Sequence, residues 1–215
     1  MKLKGIVFDL DGTLVDSLGV TFDGFNHGIR VRGGRPMAPR EIMNYFGTGE
    51  REIFAAILGN AEADEAYAAY RDYVEENLGH VPMHNGILEL LNALDRAGIP
   101  ASIFTGRSWN TTQSILRHHG WLGRFVTVVA NDHVKAPKPA PEGLHLALER
   151  MKLKPSEVLL VGDMPADICA ANAAGARGVA ALWDATVKRE ELEPHSPHYW
   201  AENPKQLWGL CESLL

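Results

Sequence analysis

Gly5-Ile6-Val7-Phe8-Asp9-Leu10-Asp11-Gly12-Thr13-Leu14-Val15-Asp16-Ser17 is the stretch on which the reading of this 215-residue chain turns. Gly5 to Phe8 is a short apolar run ending at Asp9, the pattern of a buried strand. In open α/β sheets ligands bind outside the carboxyl ends of strands, so a site belongs at this point. Asp9 and Asp11 are two residues apart, and both can face one pocket if the chain begins to turn at Gly12. There they repel each other unless a cation sits between them, which makes a divalent metal the natural third party. Hard carboxylate oxygens with no nearby His or Cys favour Mg²⁺ over zinc. The plain alternative is a loop of acidic turn residues, since Asp-Gly is common turn chemistry.

Working outward, four comparable apolar runs follow, at Ala101 to Phe104, Phe125 to Ala130, Val158 to Val161 and Gly178 to Leu182. Helical patterns lie between them. Ile87, Leu90, Leu91 and Leu94 repeat at the spacing of one buried helix face, and Leu144, Ala147, Leu148 and Met151 do likewise. Alternation of this kind predicts an α/β fold, a doubly wound parallel sheet covered on both faces. From about Asp16 to Val81 no strand is evident, only helical stretches broken at Gly33-Gly34-Arg35-Pro36 and Gly47-Thr48-Gly49. Glu62 to Asn77 has good helix composition. The expected organisation is therefore a core of residues 1–15 and 83–215 with a small all-helical cap, residues 16–82, inserted after the first strand. Pro82 to Gly86 is the expected return hinge. Asp184 to Pro197 reads as a polar surface loop with a helical turn, and Lys205 to Leu214 as a closing amphipathic helix.

Composition narrows the classes. Hydrophobic residues make up 46% and charged residues 22%, the values of a globular protein. A net charge of −6 argues against nucleic acid or anionic membrane partners. A phosphate site would have to be locally cationic, from a few placed Lys or Arg residues and a metal. The two cysteines, Cys169 and Cys211, have no framework spacing and read as reduced thiols. The first residues lack the apolar run of a signal peptide, and no stretch approaches the roughly 20 apolar residues of a membrane span. A cytoplasmic location is expected. The nine histidines add no metal-ligand spacing; His118 and His119 precede Gly120 at an expected helix C-terminus, where a cation is favourable.

Three further clusters follow the later apolar runs: Thr105-Gly106-Arg107-Ser108, Lys135-Ala136-Pro137-Lys138-Pro139-Ala140-Pro141, and Gly162-Asp163-Met164-Pro165-Ala166-Asp167. Each alone is weak, because a strand-end Thr, a surface Lys in a Pro-rich linker and a capping Asp are all ordinary. Together with Asp9-x-Asp11-Gly12-Thr13, in this order and each after a strand, they resemble the haloacid dehalogenase-like hydrolases, in particular their capped phosphatases. The resemblance covers nearly the whole chain. It implies that Asp9 is the nucleophile that forms an aspartyl-phosphate and that Asp11 is the general acid that later activates water. It implies that Thr105 and Gly106 offer donors to the phosphate, with Arg107 in reach of substrate. Lys138, favoured over Lys135 by its Pro-x-Pro context, would neutralise phosphoryl oxygens. The implied Mg²⁺ ligands are Asp9, Asp163 and the backbone carbonyl of Asp11, with Asp167 orienting them or pairing with Lys138. Family members more often have Ser or Thr in place of Met164, a departure that bears on metal affinity or substrate fit.

Tyr45-Phe46-Gly47-Thr48-Gly49-Glu50-Arg51 resembles the cap loop of phosphoglycolate phosphatases and their relatives. Thr48 and Arg51 would bind a carboxylate or second phosphate, unless Glu50 and Arg51 merely solvate the start of a helix. The function expected is a Mg²⁺-dependent phosphatase acting on a small phosphorylated metabolite, as a monomer or homodimer. A sugar-phosphate mutase on the same core is the alternative within the family. A phosphonate-cleaving enzyme would need a cap lysine, and no Lys lies between Lys4 and Lys135. A non-catalytic phosphate-binding protein would be expected to lose one of Asp9, Asp11, Lys138 or Asp163, and all four are present.

Overall fold

The computed structural model describes residues 2–215. Its sheet comprises β1 (Gly5–Phe8), β2 (Ala101–Phe104), β3 (Val128–Val129), β4 (Val158–Gly162), β5 (Arg177–Ala181) and β6 (Tyr199–Ala201). The strands run parallel in the order β3-β2-β1-β4-β5-β6. The chain steps outward from β1 to β3, then returns to start again at β4 on the other side of β1. The strand order therefore reverses between β1 and β4, and that switch point opens a crevice at their carboxyl ends. Phe8 pairs with Val161, so Asp9 and Asp163 emerge beside each other.

The pleat sends alternate residues to opposite faces. Ile6, Phe8, Leu159 and Val161 join one apolar core with Ile87, Leu90, Leu91 and Leu94. Val7, Val158 and Leu160 join the other with Leu144, Ala147 and Leu148. Two of the helices that cover these faces are the ones whose apolar spacing was visible in the sequence. They are α5 (Ile87–Ala97) on the first face and α7 (Glu142–Met151) on the second, with α6 (Trp109–His118) following β2. The second face also takes α8 (Pro165–Ala174), α9 (Arg189–Leu192) precedes β6, and α10 (Pro204–Ser213) packs against α5.

Between β1 and α5 lie α1 (Leu18–Val31), α2 (Pro39–Met43), α3 (Glu50–Leu58) and α4 (Asn60–Glu76), with no strand among them. Tyr70 on α4 is fully buried, its ring 4.7 Å from Phe25 on α1 and 6.0 Å from Phe54 on α3. The two connections between this helical unit and the sheet run side by side. The Asp16 N–H donates to the Pro82 carbonyl at 2.9 Å, the His84 N–H to the Leu14 carbonyl at 3.1 Å, and Val15 bridges Met83.

Two expectations are corrected. The Phe125 to Ala130 run forms a ladder only at Val128 and Val129; Phe125 instead packs its ring edge-on to Trp121, 6.0 Å away. A sixth strand, β6, was not expected. It is three residues long and at the sheet edge, with Tyr199 and Trp200 partly exposed and Ala201 buried, too short to show an apolar period. No helix among the described residues is long and apolar enough to cross a membrane.

Candidate active site

Asp9 continues β1, its N–H donating to the Val161 carbonyl at 2.8 Å, and the residue is 7% exposed. The chain then turns at Gly12, whose φ of +73° suits glycine. A side chain there would place its Cβ 2.4 Å from Asp163 Oδ2, so the turn is also the floor of the acidic site. Thr13 donates its hydroxyl to Asp163 Oδ1 at 2.7 Å. Asp163 itself is not the helix cap: Met164 occupies that position, Pro165 opens α8, and Asp167 accepts from the Met164 N–H at 3.0 Å. Asp163 is left facing Asp9.

Lys138 is buried, and its Nζ lies 2.9 Å from Asp9 Oδ1 and 2.5 Å from Asp167 Oδ1. Lys135 stays exposed on the surface. Burial pushes the Asp9 carboxyl up to about 7, against the pull of the Lys138 charge and with repulsion from Asp167 and Asp11. Burial also drives Asp163 well above the ordinary carboxylate range, with Asp9 and Asp167 adding to it. Burial lowers the Lys138 ammonium, but the charges of Asp167 and Asp9 outweigh it and leave it raised.

Oxygens of Asp9, Asp163 and Asp167 lie within 4.8 Å of one another, and all three residues are buried. One ammonium among three buried carboxylates leaves negative charge uncompensated, which adds to the burial that raises Asp9 and Asp163. An oxygen-only donor set with an excess of negative charge fits a hard divalent cation such as Mg²⁺.

Asp11 turns its carboxylate away from this cluster. Arg107 Nε lies 3.1 Å from each Asp11 oxygen and Nη2 lies 2.6 Å from Oδ1; the Ser17 hydroxyl donates to the same carboxylate. Burial pushes Asp11 up, but the Arg107 charge and these hydrogen bonds prevail and hold it below its ordinary value. Arg107 is 5% exposed and also donates to Tyr70 Oη at 2.9 Å and Thr21 Oγ1 at 2.6 Å, both on the helical unit.

The other expected substrate contacts divide. Gly106, Arg107 and Thr48 line a cavity of about 350 Å³ between the sheet ends and the helical unit, together with Asp9, Asp11 and Lys138. Thr105 lies outside that lining; its hydroxyl accepts from the Arg107 N–H at 3.1 Å and shapes the turn from within. Arg51 does not reach the cavity. Its Nε donates to Asp64 at 2.7 Å on the surface, because α3 turns that face toward α4.

Glu50 was not expected to matter, yet it is 5% exposed at the start of α3. It accepts from the Ser108 N–H and the Thr111 hydroxyl, each at 2.9 Å. Tyr67 Oη is 2.7 Å from Ser108 Oγ. These bonds tie the helical unit to the start of α6. In the sequence Glu50 looks like any acidic residue in a first helical turn, and only its burial distinguishes it. Tyr70 and Thr21 were likewise silent, because helical spacing assigns them to packing.

The haloacid dehalogenase-like hydrolase family model matches residues 6–181. Pyrophosphatase PpaX of Bacillus velezensis is 32% identical over 209 residues, covering 96% of this chain and 95% of the relative. N-acetylmuramic acid 6-phosphate phosphatase of Pseudomonas aeruginosa is 28% identical over 227 residues, covering 100% of this chain and 97% of the relative. Among solved structures, a predicted phosphoglycolate phosphatase from Haemophilus somnus superposes with a TM-score of 0.84 at 22% identity, covering 98% of each chain. The order of the strand-end acids, the sheet that carries them and these likenesses agree: the chain belongs to the haloacid dehalogenase-like hydrolases and is an enzyme of their phosphatase branch.

Proposed function

We propose that this enzyme is a Mg²⁺-dependent phosphatase that frees phosphate from a small phosphorylated metabolite through an aspartyl-phosphate on Asp9. The observation that carries this reading is the Asp9 carboxylate at the sheet's switch point, with Lys138 at 2.9 Å and Asp163 and Asp167 around it. Asp9, Asp163 and the Asp11 main chain would hold the ion, with Asp167 steadying Lys138. When bound, Mg²⁺ supplies positive charge against the phosphoryl oxygens.

The chain's own groups account for the rest. An Asp9 oxygen attacks phosphorus as the bond to the leaving oxygen breaks, and Lys138 balances charge on the transferring group. Asp11 gives a proton to the leaving oxygen, then takes one from the water that cleaves the acyl phosphate and restores Asp9. Arg107 holds Asp11 ionised in the resting arrangement, ready for the second of these steps. For the first, Asp11 carries its proton against the pull of Arg107, which its bonds to Tyr70 and Thr21 hold in place. In this reading residues 1–15 and 83–215 perform phosphoryl transfer, while residues 16–82 select the leaving group and exclude water.

The test is phosphate release across a panel of phosphorylated metabolites with Mg²⁺, combined with mass spectrometry of rapidly quenched enzyme. Release together with a phosphoryl-sized mass on the peptide containing Asp9 is expected. Transfer of the phosphoryl group to a second sugar phosphate, with no net release, would assign a mutase instead.

A further inference from the structure

The cavity of about 350 Å³ is the size of sites that bury whole organic ligands, well beyond what a phosphoryl group fills. Facing the acids across it stand Leu18, Phe25, Met43, Phe46 and Ile53. Phe25 and Ile53 are buried, and Phe46 lies stacked against Phe22 with ring centroids 6.1 Å apart. This half of the cavity is mostly hydrocarbon, interrupted by Thr21, Thr48, Glu50 and Tyr70.

Its charges point the same way. Among the described residues six acids line the cavity, Asp9, Asp11, Glu50, Asp163, Asp167 and Glu191, against three cations. Lys138 is committed to Asp9 and Asp167. Arg107 is committed to Asp11, Tyr70 and Thr21. Lys188 stands half-exposed at the rim, 3.7 Å from Glu191. Arg51 lies outside, paired with Asp64. A carboxylate or second phosphate on the leaving group would be desolvated against apolar side chains and Glu50 with no uncommitted cation inside to receive it.

We infer that the enzyme selects the phosphate monoester of an uncharged, partly apolar alcohol, because the leaving-group half of its cavity is an apolar wall whose interior cations are already paired. This rests on the phosphatase reading above and deepens it by naming the substrate class. The wall supplies affinity through apolar area removed from water. The charge balance supplies discrimination by penalising anionic leaving groups.

The test uses the Mg²⁺-loaded enzyme and two readouts. Turnover is compared for phenethyl phosphate, phosphoglycolate and pyrophosphate, and calorimetric binding for two non-hydrolysable mimics, 3-phenylpropyl phosphonate and 3-phosphonopropionate. A preference of at least about tenfold for the phenyl compound in both readouts is expected from the apolar area it buries. Ile53→Arg, which sets a cation in the wall, should narrow that gap. Equal or reversed preference in the parent, or an unchanged gap in the variant, would overturn the inference while leaving the phosphatase reading in place. Phosphonate binding in the expected order with no turnover of any ester would sustain the selectivity and sink the phosphatase reading. Neither binding nor turnover would overturn both.

Discussion

Arg107 grips both carboxylate oxygens of Asp11, with Nε 3.1 Å from each and Nη2 2.6 Å from one. The contact holds down the pKa of the group proposed to carry the proton, against a burial that would raise it. Arg107→Gln removes the charge and leaves burial dominant, so the Asp11 carboxyl moves up. Protonated Asp11 then survives to higher pH, and the alkaline limb of the kcat/KM profile should shift upward. Arg107→Lys should shift it less. Removing one partner of a buried pair costs about 3 kcal/mol or more, so stability is measured alongside. A profile that keeps its shape in a folded Arg107→Gln variant would remove Asp11 from proton transfer.

Asp9→Asn should reduce turnover to less than about a thousandth of the parent rate while leaving the fold intact. The variant also carries a pH signature. With its folded pKa raised from 3.8 to about 7, Asp9 holds a proton in the metal-free folded state that the unfolded chain has released. Its contribution is full below the unfolded value and is lost as pH rises through about 7, on the order of a few kcal/mol. Chemical denaturation in chelator should show this decline for the parent and a flatter curve for Asp9→Asn.

Gly12→Ala and Gly33→Ala share almost the same backbone strain, φ +73° against +74°, but differ in what a methyl group meets. At Gly33 nothing lies within 4 Å, whereas at Gly12 the methyl would sit 2.4 Å from Asp163 Oδ2. Both should lose about 1 kcal/mol or more to strain. Only Gly12→Ala should raise the Mg²⁺ concentration needed for half-maximal activity. Equal Mg²⁺ titrations for the two would separate Asp163 from the metal.

Removal of metal by a chelator should abolish activity, and Mg²⁺ should restore it better than Zn²⁺, because the cluster offers carboxylate oxygens and no sulfur or imidazole. Recovery led by Zn²⁺ would contradict the oxygen-donor assignment.

Glu50→Ala should loosen the helical unit. The carboxylate accepts two hydrogen bonds, from the Ser108 N–H and the Thr111 hydroxyl, and alanine offers an acceptor to neither. The unpaired donors should cost about 1–3 kcal/mol and show as faster hydrogen exchange at the Ser108 amide. Unchanged exchange there would mean that these bonds do not hold the unit closed.

The parts legible in the sequence were those written in short-range patterns. Strand β1 with its Asp-x-Asp-Gly-Thr continuation is one example, and the spacing that buries Leu90, Leu91 and Leu94 is another. Lys138 was legible through its prolines. The arrangement around Asp11 was not, because Arg107 reaches it across 96 positions of chain and Glu50 reaches Ser108 across 58. Helix periodicity assigns Tyr70 to packing without saying that its hydroxyl meets Arg107. Arg51 misled for the complementary reason: a basic residue beside a Gly-Thr-Gly loop looks available for an anion, and its capture by Asp64 depends on how α3 and α4 pack. Strand β6 escaped because three edge residues carry no period.

The helical unit is joined to the sheet by one stem of two antiparallel connections, Leu14 to Asp16 against Pro82 to His84. A unit whose entrance and exit are neighbours is a cassette. Exchanging it for a unit of different length or composition would leave the strand order and the place of Asp9 after β1 as they are. In the function proposed above, the chemistry of the sheet ends and the choice of leaving group can thereby be altered separately.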